Sequence, residues 1–221
     1  MFIGHWAPAL AAAAHPKAPG LGTLFIAGQL VDWAFFAFVL ADVEHLRLAP
    51  GTSVMNPMDL YHMPYTHSLA GTLVFAMGFG MLVWLTTKSR TGALIGGAVV
   101  VSHWFADLLV HVPDLTLWGS PPKLGLGLWN HPAVAMPLEL GLTALAFYLL
   151  IRARRPSRRG HAALAVLAGV MLLVQAVNWF GPPPTEPDLA AALTVFGVYG
   201  VITAFAAWAD RRLPRPGGNH A

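Results

Sequence analysis

His103 and Asp107 stand four residues apart in a stretch apolar enough to cross a bilayer, and a second run, His62-Met-Pro-Tyr-Thr-His67-Ser-Leu, borders another such stretch. Ionisable groups are costly at membrane depth, so they face a cavity, pair with one another or do chemistry. Histidine and aspartate together also make the nitrogen and oxygen donor set that a divalent transition metal takes. On a helix the i, i+4 spacing puts His103 and Asp107 on one face, where both can serve a single ion. The chain has no cysteine, so thiolate sites and disulfides are excluded.

The elements that must carry these residues are membrane spans. Of 221 residues, 56% are hydrophobic and 10% are charged, far below the quarter or so of a soluble domain. The composition predicts an all-α integral membrane protein with six spans, near 20–41, 68–87, 92–112, 132–151, 162–181 and 189–209, each about 20 residues long. Residues 1–15 are apolar but too short to cross, and read as a half-buried or interfacial helix folding back at His15-Pro16-Lys17. Eleven of the thirteen Lys and Arg residues fall on one side of this alternation; only Arg47 and Lys123 fall on the other. The positive-inside rule then predicts cytoplasmic termini, with loops 42–66, 113–131 and 182–188 outside. The same topology accounts for the net charge of +3 without nucleic acid. Residues 1–152 read as the bundle that carries the site. Residues 153–221, whose spans hold no ionisable interior residue, read as a two-helix scaffold of the same domain.

At 1.5 Å per residue, depths can be counted from the cytoplasmic anchors. Asp32, His103, Asp107 and Glu139 fall in one band roughly 20–25 Å up, and His5 reaches roughly 18 Å if its helix runs back along the first span. His67 lies at the outer mouth of the second span, with His62 in the loop before it. His111 continues the i, i+4, i+8 series, as a partner of the site or a solvated residue. Asp32 reads as a ligand or as a helix-pairing partner of His103, and Glu139 as part of the site or a helix-bonding carboxylate. Asp42, Glu44 and His45 read as a solvent-facing outer loop.

These motifs resemble a family of bacterial inner-membrane metal-dependent hydrolases first described as LexA-regulated. That family carries an early Gly-His, an Asp-containing motif, a His-Arg-Gly-x-Thr-His-Ser-Leu run and then Ser-His-x3-Asp. Here Gly4-His5, Asp32, His62-x4-His67-Ser-Leu and Ser102-His103-x3-Asp107 correspond, with Met63-Pro64 in place of Arg-Gly. The resemblance covers roughly residues 1–115, and Pro122-Lys-Leu-Gly-Leu-Gly-Leu-Trp-Asn130 resembles an uncharacterised subgroup with the same layout. It implies a metal-ligand set of His5, Asp32, His62, His67, His103 and Asp107. The family's hydrolase label derives from similarity to zinc-dependent phospholipase C.

The expected function is therefore a metal-dependent hydrolase in the bacterial inner membrane, its site opening outward onto a membrane lipid or amphiphilic ester or phosphoester. The expected cofactor is a divalent metal, zinc before manganese, as one or two ions activating water. Asp107 or Glu139 would accept a proton, and His62 would bind metal or protonate the leaving group. The alternative is a transporter that relays protons or a cation through the same His/Asp cluster.

Overall fold

A computed structural model describes residues 1–182 and 188–215. Most of the outer loop expected at 182–188 therefore lies outside the described residues. Among the described residues, six helices are long and apolar enough to cross a membrane: α2 (Leu21–Leu40), α3 (Leu69–Thr87), α4 (Arg90–Val110), α5 (Pro132–Arg154), α6 (Arg158–Phe180) and α7 (Leu189–Asp210). They match the expected spans closely. The protein is an all-α, multi-pass membrane protein. Local chemistry sets the helix ends. Ser68, Ser89 and Asp188 accept hydrogen bonds from the backbone N–H groups of Gly71, Gly92 and Ala191 respectively, and Pro132 occupies the first turn of α5.

Of the two courses expected for the N-terminal segment, the structure shows the half-buried one and carries it further. A 3-10 turn (Ile3–Trp6) is buried in the middle of the bundle, and the short helix α1 (Ala7–Ala12) buries Ala7, Ala9 and Leu10 while Pro8, Ala11 and Ala12 stay partly exposed. Ile3, Trp6, Ala9 and Leu10 are fully enclosed by apolar residues of α2, α4, α5, α6 and α7. A non-spanning backbone at this depth has no water to bond, so protein groups must satisfy its leading N–H groups. The Glu139 Oε1 atom accepts from Phe2 N and Gly4 N at 2.5 and 2.9 Å, and the Gln175 Oε1 atom accepts from Ile3 N at 3.1 Å. Gly28 gives the segment room against α2, since a Cβ there would lie 2.7 Å from the His5 carbonyl oxygen.

One end of the bundle, where α2 and α4 finish and α3 and α5 begin, is roofed. An antiparallel hairpin, β1 (His45–Leu48) with β2 (Met58–His62), packs Leu46 and Leu60 onto Phe35, Trp104 and Leu115. The loop after α4 closes the remaining gap. Its Thr116 and Leu117 carbonyls accept from Leu69 N and Ala70 N, satisfying donors at the start of α3. At the opposite end, Arg154 of α5 pairs with Asp210 of α7, and the other Asp210 oxygen accepts from Leu21 N at the start of α2.

Replacing Glu139 separates acceptor from charge. In Glu139→Leu two buried donors lose their acceptor, at about 1–3 kcal/mol each. Glu139→Gln keeps a carbonyl oxygen in place. The leucine variant should unfold several degrees earlier in detergent and expose the Phe2 and Gly4 amides to hydrogen exchange, whereas the glutamine variant should stay near wild type.

Candidate metal centre

The structure brings His5, Asp32, His67, His103 and Asp107 together beneath the roof. Asp32 comes from the roofed half of α2, His67 from the turn entering α3, His103 and Asp107 from α4, and His5 from the central 3-10 turn. All but Asp32 are buried; the Asp32 side chain is 17% exposed and marks the open side of the cluster.

Hydrogen bonding fixes which ring nitrogen of two histidines faces inward. The His103 Nδ1 atom lies 2.9 Å from the Gly28 carbonyl oxygen. A carbonyl only accepts, so Nδ1 carries a proton, and Nε2 is the ring nitrogen turned toward the carboxylates. The His67 Nδ1 atom lies 2.9 Å from the Thr66 hydroxyl, and that hydroxyl donates at 2.5 Å to the Glu44 carboxylate. With its proton committed to Glu44, the Thr66 oxygen accepts from His67 Nδ1, which leaves Nε2 to face inward. This is the arrangement by which outer partners orient metal-binding imidazoles.

Both Nε2 atoms point at carboxylate oxygens. The Asp32 Oδ1 atom lies 3.4 Å from His67 Nε2 and 3.4 Å from His103 Nε2. The Asp107 Oδ2 atom lies 3.7 Å from His67 Nε2 and 3.0 Å from His103 Nε2. Donors bound at about 2.0–2.2 Å in a tetrahedron stand roughly 3.4 Å apart, and these four histidine–carboxylate distances are close to that spacing, as for an ion such as zinc. His103 Nε2 and Asp107 Oδ2 are both buried, and among the described residues neither makes a hydrogen bond of good geometry, although they face each other at 3.0 Å. Polar atoms so enclosed are costly when poorly paired, and a cation between them would supply a partner. The residues fit a divalent metal.

The other Asp107 oxygen has different company. Oδ1 lies 3.0 Å from His5 Nε2, 3.1 Å from the Met1 amino group and 3.3 Å from His111 Nε2. The His5 ring stacks on His103 with centroids 3.8 Å apart. His111, which the sequence left between partner and solvated residue, is buried, and its Nδ1 sits 2.9 Å from Asp114. Burial disfavours charge on His111, but the Asp107 carboxylate and the hydrogen bonds to Asp107 and Asp114 outweigh it, raising its pKa to about 9. As an imidazolium, His111 donates to two carboxylates and holds Asp107 in place.

Two expected members stand apart. His62 ends strand β2, exposed, with its ring 5.3 Å from that of His45 across the hairpin. His62 belongs to the strand and the turn at residues 64–66 redirects the chain before His67, so the five-residue spacing does not place both in one site. Glu139 spends Oε1 on the N-terminal backbone instead of reaching the cluster. Two groups that sequence reasoning missed take part. Glu44, read as solvent-facing, is fully buried behind Thr66. Tyr199 of α7, in the supposed scaffold, donates to Asp32 Oδ2 at 3.1 Å. A buried carboxylate between loop residues leaves no periodic signal, and a tyrosine in a greasy helix reads as packing.

Gly28→Ala tests how closely this geometry is held. The added Cβ meets the His5 carbonyl oxygen, forcing the central turn away from α2 at a cost of about 1–3 kcal/mol. Thermal unfolding in detergent should drop by several degrees, and a melting curve superimposable on wild type would contradict the close approach. No protein-family model matches the chain, and neither a curated protein nor a solved structure is significantly similar to it.

Proposed function

We propose that this protein is a membrane-embedded metal-dependent hydrolase acting on a lipid-like ester or phosphoester. The observation that carries this reading is the convergence of Asp32, His67 and His103 on one point, with Asp107 Oδ2 3.0 Å from His103 Nε2 and 3.7 Å from His67 Nε2 beside them. Such a set holds zinc or manganese, and Asp107 Oδ1 with His5 offers donors for a second ion. A divalent ion there supplies Lewis acidity, polarising the scissile oxygen and lowering the pKa of water toward 7.

The chain's own groups divide the remaining work. Asp32 faces the open side, and its Oδ2, steadied by the Tyr199 hydroxyl, would accept the proton that water loses as its oxygen bonds to carbon or phosphorus, and would return that proton to the ester oxygen as the bond to the departing alcohol breaks. His111 and Asp114 hold Asp107 while the charge around it changes. The motif resemblance to the inner-membrane hydrolases supports the same reading. So does the excess of Lys and Arg at the opposite end of the bundle, which would put the termini in the cytoplasm and the roofed site outside. An amphiphile would enter laterally from the outer leaflet, headgroup toward Asp32.

The core on the side away from the roof disfavours translocation. It is filled by Leu10, Leu21, Leu24, Phe25, Leu164 and Leu167, which offer a proton or cation no polar path.

Purified protein should carry stoichiometric zinc or manganese, measurable by elemental analysis, and should hydrolyse a lipid or generic phosphoester. His103→Ala and Asp32→Asn should lower turnover roughly a thousandfold, the several kcal/mol that a bound ion contributes to transition-state stabilisation. Metal retained in full by both His103→Ala and His67→Ala would defeat the site assignment. Proton or metal flux in liposomes without ester turnover would defeat the hydrolase.

A further inference from the structure

Glu44 is a fully buried carboxylate on the loop between α2 and β1, and the hydrolytic reading gives it no task. Its two oxygens are used differently. Oε1 accepts from Tyr65 N and Thr66 N at 2.8 and 2.9 Å, while Oε2 accepts the Thr66 hydroxyl proton at 2.5 Å. Thr66 is buried, and its hydroxyl is also the neighbour of His67 Nδ1. A hydroxyl has one proton to give. While Glu44 takes it, the Thr66 oxygen can only accept from His67.

We propose that Glu44, acting through the Thr66 hydroxyl, is the positioning residue that fixes His67 as an Nε2 donor. This rests on the metal-centre reading for its purpose, but the proton arrangement itself stands on the carboxylate–hydroxyl–imidazole chain. The direction of that chain matters more than its presence. A glutamine at position 44 has the same shape, and its carbonyl oxygen can keep the two backbone bonds. Its amide nitrogen then replaces Oε2 and donates to the Thr66 oxygen. The Thr66 proton turns toward His67 Nδ1, and the imidazole proton moves to Nε2, the atom that should face the ion. One isosteric change therefore reverses the relay with the fold intact. Removing the hydroxyl, as in Thr66→Val, leaves Nδ1 without an acceptor and the tautomer unset, and Thr66→Ser restores both.

The test has two independent readouts on the full-length protein in detergent. The first is the His67 tautomer in metal-free protein, read from side-chain ¹⁵N shifts, with the resonance assigned by its loss in His67→Gln. Wild type and Thr66→Ser should show Nδ1–H, and Glu44→Gln should show Nε2–H. The second is zinc affinity by chelator competition. Glu44→Gln should weaken binding about 10–100-fold at an unchanged melting temperature; Thr66→Val should weaken it as much and also unfold earlier, because the buried Glu44 Oε2 loses its donor, with Thr66→Ser within about threefold of wild type. Nε2–H in the wild type, or Glu44→Gln binding zinc as tightly as wild type, would overturn the relay. If wild type binds no zinc, the metal reading fails while the tautomer still decides the relay.

Discussion

The structure depends on burying a chain segment that does not cross the membrane. Ten or so residues at the N-terminus occupy the centre of the bundle, and their first backbone donors sit where neither water nor a preceding helical turn can serve them. Glu139 and Gln175 meet that demand from α5 and α6, so two otherwise greasy helices are tied to the centre by hydrogen bonds instead of mere contact. Gly28 meets the steric demand from α2, and the same residue's carbonyl oxygen takes the His103 Nδ1 proton. The close approach that admits His5 and the bond that aims His103 thus belong to one peptide unit. The stacked pair of imidazoles follows from it.

Charge balance then singles out one corner of the cluster. Two carboxylates in a low-dielectric interior need compensation. Asp107 has it, since the Met1 ammonium and the His111 imidazolium both lie within 3.3 Å of Oδ1. Asp32 has a tyrosine hydroxyl and the Nε2 atoms of His67 and His103. A cation held among these groups would compensate Asp32 and, through the buried Oδ2, Asp107 as well.

The spans were legible because a bilayer demands length and hydropathy, and both are properties of a linear string. Asp32, His103 and Asp107 were legible because carboxylates and imidazoles stand out in such a string, and helix rise converts sequence number into depth. What escaped depends on departures from helical geometry. His62 and His67 look like a pair by spacing, but strand β2 and the following turn carry them apart. Glu44 beside Asp42 and His45 looks like a wet acidic loop, whereas the chain folds the glutamate under the roof and leaves its neighbours outside. The full burial of residues 3–6 was hidden because shortness argued for a half-buried or interfacial course, and the polar partners that make burial possible lie more than 130 residues away in sequence.

His67 shows how one element can govern a ligand it does not contain. Asp32 on α2 faces its Nε2, and Phe35, one turn further along α2, presents an aromatic edge to the ring with centroids 5.1 Å apart. Glu44, just past the end of that helix, commands Nδ1 through Thr66. The loop that carries Glu44 is itself closed on α2, since Val43 N and Glu44 N both donate to the Phe38 carbonyl oxygen. Three constraints on one imidazole therefore come from α2 and the loop just past it, while the backbone of His67 is held from α4, whose Trp104 Nε1 donates to the His67 carbonyl oxygen. The loop that leads into the hairpin thus extends α2 over the histidine–aspartate cluster, and the roof that closes this end of the bundle also orients one of its imidazoles.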